Sequence, residues 1–147
     1  AITILNPAPA QPLGENILKL CDFVTPNEIE AEQITGTPVK SINDAKIAAG
    51  KLLEKGASAA VITLGEQGAL FKDNNQIIHQ PSYEVGPVVE TTGAGDAFNG
   101  GLAVALAEEM PIDKALRFAC ATASISVTRQ GTAPSMPNRH EIDTLIR

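Results

Sequence analysis

The run Glu90-Thr91-Thr92-Gly93-Ala94-Gly95-Asp96-Ala97-Phe98-Asn99-Gly100-Gly101 most constrains the fold, because it sets nearly bare backbone directly ahead of an apolar helical pattern. Gly93, Ala94 and Gly95 carry almost no side chain, so several backbone N–H groups can approach one ligand, and glycine tolerates the φ values such a turn requires. Phe98, Leu102 and Leu106 recur every fourth residue, the spacing of one helix face. The turn is therefore expected at a helix N-terminus, where unsatisfied N–H groups and the helix dipole attract phosphate. Asp96 falls in the first helical turn, where a carboxylate is favoured as an anion and could take a proton from a hydroxyl attacking that phosphate. The plainer alternatives are a helix cap for Asp96 and a tight connection for the run as a whole.

Three other glycine motifs fail on position. A dinucleotide fingerprint needs a third glycine where Phe98 stands, and a Walker loop built on Gly95 and Gly100 needs lysine where Gly101 follows. The esterase elbow would use Gly56-Ala57-Ser58-Ala59-Ala60, which lacks the final glycine and precedes a strand instead of following one.

Composition narrows the fold class. The 147 residues suit one domain with a sizeable core. Aromatic residues make up 3% and tryptophan is absent, so the core must be built from Ala, Ile, Leu and Val, as in a parallel sheet covered by helices. A net charge of −6 without any basic cluster argues against a nucleic-acid partner. No apolar stretch approaches the roughly 20 residues needed to span a bilayer, and the N-terminus lacks a secretory pattern, so a soluble, cytoplasmic protein is expected. Cys21 and Cys120 are too few and too far apart for a disulfide framework or metal set and are expected to be reduced thiols. His79 and His140 lack partner spacing for metal or catalysis and read as surface residues.

Along the chain, strands are expected at Ile2 to Leu5, at Phe23 to Thr25 before Pro26, and at Ala60 to Leu64, the last apolar throughout. Ala69 to Phe71 and Gln76 to His79 read as a hairpin around Asp73-Asn74-Asn75. Helices are expected over Gly14 to Leu20, over Glu28 to Ile34 with a stop near Gly36, and from a Ser41/Asp44 capping box to Lys55 with Gly56 as the stop. Further helices are expected over Gly95 to Glu108, over Ile112 to Arg129 with a Leu116, Ala119, Ala123 and Val127 stripe, and over Arg139 to Ile146. The alternation predicts a doubly wound, mostly parallel α/β sheet without internal repeats. Ligands in such sheets bind beyond the carboxyl ends of the strands, near Thr25, Thr63 and the Gly93 turn.

Thr91-Thr92-Gly93-Ala94-Gly95-Asp96-Ala97-Phe98 resembles a signature of the ribokinase, or PfkB, family of carbohydrate kinases. Leu5-Asn6-Pro7-Ala8-Pro9-Ala10, Thr25-Pro26-Asn27-Glu28-Ile29-Glu30-Ala31-Glu32, Ile62-Thr63-Leu64-Gly65 and Val127-Thr128-Arg129-Gln130-Gly131 resemble the same family in the expected order. The resemblance implies a ribokinase-like fold and ATP-dependent phosphorylation of a sugar hydroxymethyl group, with ribose favoured by the Asn6 and Thr25 segments. It makes Asp96 the catalytic base beside the sugar, and Gly93, Ala94 and Gly95 the anion hole. Asn27 and Glu30 match an Asn-x-x-Glu element that organises Mg²⁺ and phosphates through water; without the flanking Thr25-Pro26 the same pair would read as ordinary helix-capping residues. Thr63, Leu64, Gly65, Glu66, Gln67 and Gly68 match the nucleotide loop. Cys120 stands where the family contacts adenine, with a small core residue as the alternative.

A monovalent cation, K⁺ in the family, would take Glu90, Ser135 and the carbonyls of Thr92, Ser126, Arg129 and Gly131. Here the chain departs, since Glu90 replaces the usual aspartate and is one methylene longer; its alternative reading is a solvated charge at a strand end. The resemblance covers only the C-terminal, nucleotide-binding half of the family, without the sugar-binding half and its lid. The expected partners are therefore ATP, a sugar, and either the missing half or a second copy pairing at an exposed sheet edge. The alternative function is a non-catalytic nucleotide-binding or regulatory module, or an inactive fragment.

Overall fold

The computed structural model describes residues 1–14 and 16–147, which form two compact units, Ala1–His79 and Gln80–Arg147. The first is built on a five-stranded sheet in the order β1 (Ile4–Leu5), β2 (Phe23–Val24), β3 (Ala59–Thr63), β4 (Ala69–Lys72) and β5 (Ile77–Gln80), whose last residue opens the second unit. β1, β2 and β3 run parallel, as expected, and β4 pairs antiparallel with β3, so the sheet is mixed. The Asp73 carboxylate closes the β4–β5 turn by accepting the N–H groups of Asn75 and Gln76 at 2.7 and 2.8 Å. Such Asx turns explain why Asp and Asn mark the hairpin.

Helix α1 (Glu28–Thr35) ends at Gly36, whose left-handed backbone (φ 72°) forms the stop read from the sequence. Helix α2 (Ile42–Glu54) opens on Ser41, whose hydroxyl accepts the Asp44 N–H. The Asp44 carboxylate reaches the N–H of Lys40, one residue earlier than a reciprocal box would place it. Ala45, Ala48, Ala49 and Leu52 of α2 pack with Val24, Ala31, Ala60, Ile62 and Leu70 in one apolar cluster. Small alanines let helix and sheet approach closely, which explains how a chain almost without aromatic residues builds a dense core. β3 is buried on both faces over Ala59–Ile62, as its unbroken apolar run required.

The helix expected from Gly14 begins beside Glu15, which lies outside the described residues. What is observed is a single 3-10 turn, Leu18–Leu20, with no side-chain N-cap. Of its residues only Leu18 is buried, while Leu20 is exposed, so no continuous apolar face exists to support a longer helix.

In the second unit, helices α3 (Ala94–Ala107) and α4 (Ile112–Ser126) form the main packing pair, and α5 (Arg139–Leu145) packs against α4. Gly101 permits the α3–α4 approach, since a Cβ there would stand 2.6 Å from the Thr122 hydroxyl and 3.0 Å from the Ala119 Cα. Helix α4 stops three residues short of the expected Arg129. The hydroxyls of Ser126 and Thr128 donate to the carbonyls of Ala123 and Ile125, and the Thr128 and Arg129 N–H groups bond three residues back, which tightens the last turn. Its buried set is also wider than the expected stripe, extending to Ala115, Phe118, Cys120, Ala121 and Ile125, whereas Ala123 and Val127 are half-buried. Arg139 ties the helices together through Glu108 (2.6 Å), Asp143 (2.9 Å) and the face of Phe118. Among the described residues no helix is long and apolar enough to cross a membrane.

Candidate functional site

The second unit carries the glycine turn. Gly93 is the N-cap of α3 in the left-handed region (φ 83°), and Ala94, Gly95 and Asp96 form the first helical turn. The first intrahelical bond runs from the Ala97 N–H to the Gly93 carbonyl, at 2.9 Å, so the N–H groups of Gly95 and Asp96 lie ahead of the ladder. Ala94 differs: its N–H donates to the Thr91 carbonyl at 3.1 Å. Asp96 is exposed and has no hydrogen-bond or ion-pair partner among the described residues, so it does not cap its own helix. Gly95 faces open space, with nothing within 4 Å of a Cβ placed there, and its φ is not positive. Among the described residues nothing therefore requires glycine at this position, although glycine inside a helix costs about 1 kcal/mol relative to alanine.

Two side chains that the sequence reading passed over support this turn. Asn99 donates from Nδ2 to the Gly95 carbonyl at 2.9 Å, a contact that the i, i+4 spacing would have revealed. Thr132 packs on Gly93, where a Cβ would stand 3.1 Å from its methyl group. Thr132 follows Gly131 in a matched segment, but only the fold brings it to the turn.

The oxygen donors expected around a monovalent cation occupy the same unit. The Glu90 carboxylate accepts the Gly131 N–H at 2.9 Å, and the Ser126 carbonyl accepts the Arg129 N–H at 3.1 Å. Ser135 is 1% exposed and donates its hydroxyl to the Thr132 carbonyl at 2.6 Å, leaving oxygen lone pairs free. Glu90 is thus not a solvated strand-end charge; it joins two segments. Thr92 is exposed in the turn preceding Gly93. Cys120 is 3% exposed on the buried side of α4, and burial pushes its thiol up to about 12. Its surroundings are those of a core residue.

In the first unit, Asn27 and Glu30 form a reciprocal capping box at α1: Asn27 Oδ1 accepts the Glu30 N–H at 2.8 Å, and Glu30 Oε2 accepts the Asn27 N–H at 2.9 Å. Glu30 is 6% exposed and keeps Oε1 as a second acceptor. A bridge pairs Asn27 with Thr63, and the Thr63 N–H donates to the Pro26 carbonyl at 3.0 Å, so the carboxyl ends of β2 and β3 bring these candidates side by side. Thr25 itself is buried. Leu64 to Gly68 folds as a self-bonded turn, with the Leu64 N–H on the Gly68 carbonyl at 2.8 Å and left-handed glycines at 65 and 68. Gly65, Glu66 and Gln67 line a hollow of about 330 Å³ together with Glu28, Lys40 and Ser41. His79 is exposed as expected, yet its Nε2 lies 2.7 Å from the Gln67 carbonyl and braces this loop. His140 is exposed on α5.

The profile of the pfkB family carbohydrate kinases matches residues 1–139, and the chain belongs to that family. Among curated relatives, a ribokinase of Haemophilus influenzae is 44% identical over 94% of this chain and 45% of its own length. The solved structure of Arabidopsis thaliana ribokinase complexed with ribose and ATP matches with a TM-score of 0.95 at 32% identity, covering 99% of this chain and 47% of that one. A putative ribokinase II of E. coli in complex with ATP and Mg²⁺ matches at 0.77 and 30% identity, covering 90% and 41%. E. coli phosphofructokinase-2 in complex with potassium matches at 0.76 and 27% identity, covering 86% and 40%. The fold is accordingly the ribokinase-like α/β fold, and the chain spans about half the length of the relatives it matches.

Proposed function

We propose that this chain is the nucleotide-binding and catalytic-base portion of an ATP-dependent sugar kinase acting on ribose. The observation that carries the reading is the α3 N-terminus: an exposed Asp96 without a partner among the described residues, beside a glycine that no contact of the described residues requires, in a member of a carbohydrate kinase family. Phosphoryl transfer needs mainly positioning and charge stabilisation. Asp96 accepts the proton of the sugar hydroxymethyl as its oxygen attacks the γ-phosphorus, ADP departs, and the N–H groups of Gly95 and Asp96 stabilise charge on the transferred group, the Ala94 N–H being engaged by the Thr91 carbonyl. Ribose is supported by the ribokinase relatives.

Separately, in the first unit, Thr63 and the Leu64–Gly68 turn are assigned to the nucleotide. The donor set at α1 suits Mg²⁺ held through water: one oxygen of Glu30 is engaged by the capping box, the other is a hard donor, and Mg²⁺ usually retains several waters. In the second unit, Glu90, Ser135 and the carbonyls of Thr92, Ser126, Arg129 and Gly131 are all oxygen donors, a set suited to K⁺, which would supply fixed positive charge near the turn. The adenine contact at Cys120 is kept as part of the family assignment only, since the thiol is buried. A cytoplasmic setting accords with two free thiols.

The test is a chimera joining this chain to the N-terminal half of the Haemophilus influenzae ribokinase, assayed for ribose 5-phosphate formation. Asp96→Asn should lower kcat about 10²- to 10⁴-fold, the usual contribution of a general base, while leaving nucleotide affinity nearly unchanged. An Asp96→Asn chimera as active as its parent would overturn the assignment.

A further inference from the structure

Within the second unit, the segment entering α3 is joined to the segment leaving α4 at three successive points. The N–H groups of Val89 and Glu90 both converge on the Val127 carbonyl, at 2.8 and 3.2 Å. Next, the Glu90 carboxylate accepts the Gly131 N–H at 2.9 Å. Then Gly93 rests on the Thr132 side chain, too close to admit a Cβ without displacement. The first contact is backbone on both sides and the third is apolar packing. The second is a side-chain bond between residues 41 apart in sequence, and its direction is fixed by the left-handed backbone of Gly131 (φ 85°).

The geometry points to Glu90 as a positioning residue: through the one carboxylate oxygen bonded to Gly131, the length of its side chain sets where the Gly93–Asp96 turn stands, and the other oxygen is left for the cation proposed above. Its carboxylate spans the gap to Gly131 and holds the 131–132 segment against Gly93. Aspartate is shorter by one carbon–carbon bond, about 1.5 Å, and from the same backbone it cannot reach the Gly131 N–H. Glutamine keeps both the reach and an acceptor oxygen. If the bond to Gly131 depended on charge instead of reach, these replacements would rank in the opposite order. The consequence for phosphoryl transfer rests on the function proposed above; the contact itself does not.

Glu90→Gln, Glu90→Asp and Glu90→Ala are compared with the parent chain by ¹⁵N NMR, following exchange of the Gly131 amide and the chemical shifts of the Gly95 and Asp96 amides. A hydrogen bond to an ionised acceptor is stronger than a neutral one. Gly131 should therefore exchange about tenfold faster in the Asp and Ala variants and within about threefold of the parent in the Gln variant. The Gly95 and Asp96 shifts should move with the Asp and Ala variants and much less with Gln. Retention in Asp with loss in Gln would overturn the inference in favour of charge, and equal exchange in all four proteins would overturn it outright. Should the Ala variant fail to fold, the Gln and Asp pair still decides. Titration of the parent chain with a Mg–ATP analogue is read separately: absence of binding refutes the proposed function and leaves the exchange order as the test of Glu90, whereas binding without any effect of Glu90→Asp on Gly131 overturns the role of Glu90 alone.

Discussion

Gly101→Ala should destabilise the protein although it improves helix propensity. In α3 the alanine gains about 0.5–1 kcal/mol of helical preference over glycine. Against that, its Cβ would stand 2.6 Å from Thr122 Oγ1 and 3.0 Å from both Thr122 Cβ and the Ala119 Cα, and the last of these is backbone that cannot turn aside. The Thr122 hydroxyl is itself held, donating to the Phe118 carbonyl at 2.7 Å. Relief therefore requires α3 and α4 to move apart, an overpacking cost of about 1–3 kcal/mol. The structural argument favours the upper part of that range, for a net loss of about 1–2 kcal/mol. The neighbouring Gly100 is the internal control, because a Cβ there meets nothing within 4 Å and the residue is exposed. Gly100→Ala should stabilise by about 0.5–1 kcal/mol. Urea unfolding followed by circular dichroism should separate the two midpoints by about 1 M or more, with similar slopes. Equal stability of the two variants, or Gly101→Ala the more stable, would refute the close-approach argument.

Leu52→Ala removes a fully buried side chain from the α2–sheet cluster and should cost about 2–5 kcal/mol in urea unfolding. Stability should also fall in acid. The Thr3 N–H and hydroxyl, 2.8 and 2.9 Å from Asp22 Oδ2, hold that carboxyl below its usual range, and the Arg129 guanidinium, followed by the Asn138 N–H, does the same for Glu141. In both cases the folded value lies below the unfolded one, so the contribution is complete above the ordinary carboxylate range and is lost as pH falls through the folded values; Asp22→Asn and Glu141→Gln should flatten the melting-temperature profile there. At the alkaline end the sign is reversed, because burial raises the Cys120 thiol from 9.0 to about 12. The unfolded chain then ionises first, stability declines as pH rises from about 9, and Cys120→Ala should remove that slope.

Where one residue's neighbours decided the structure, the sequence was enough. Gly36 ends α1, Ser41 opens α2, Asp73 closes the hairpin, and the apolar run expected over Ala60 to Leu64 is the strand Ala59–Thr63, buried on both faces over its first four residues. The Gly93 turn was placed correctly at a helix start because glycine spacing and the Phe98, Leu102, Leu106 period are both local signals. The apolar residues around the 3-10 turn Leu18–Leu20 predict a longer helix than forms, because the fold leaves Ile17 and Leu20 outside the core. The early end of α4 depended on hydroxyls competing for carbonyls, a contest that apolar periodicity does not register. At the candidate site, local pattern points to Asp96 and Gly95, whereas the Thr132 support of Gly93 and the His79 brace on Gln67 join residues distant in sequence. The Asn27 and Glu30 pattern carries two readings: the structure shows it initiating α1 as a capping box, and water-mediated metal binding by the same side chains is proposed.

The central claim is that the α3 N-terminus receives the phosphates of a nucleotide, and calorimetric titration of the purified chain with a non-hydrolysable Mg–ATP analogue tests it most directly. Gly95→Val is the decisive partner, because its side chain points into open space and leaves the protein's own packing untouched. Saturable binding by the parent chain, abolished in a Gly95→Val variant that still melts cooperatively, is the predicted result. A folded parent chain that binds nothing, or a Gly95→Val variant that binds as well as the parent, would contradict it.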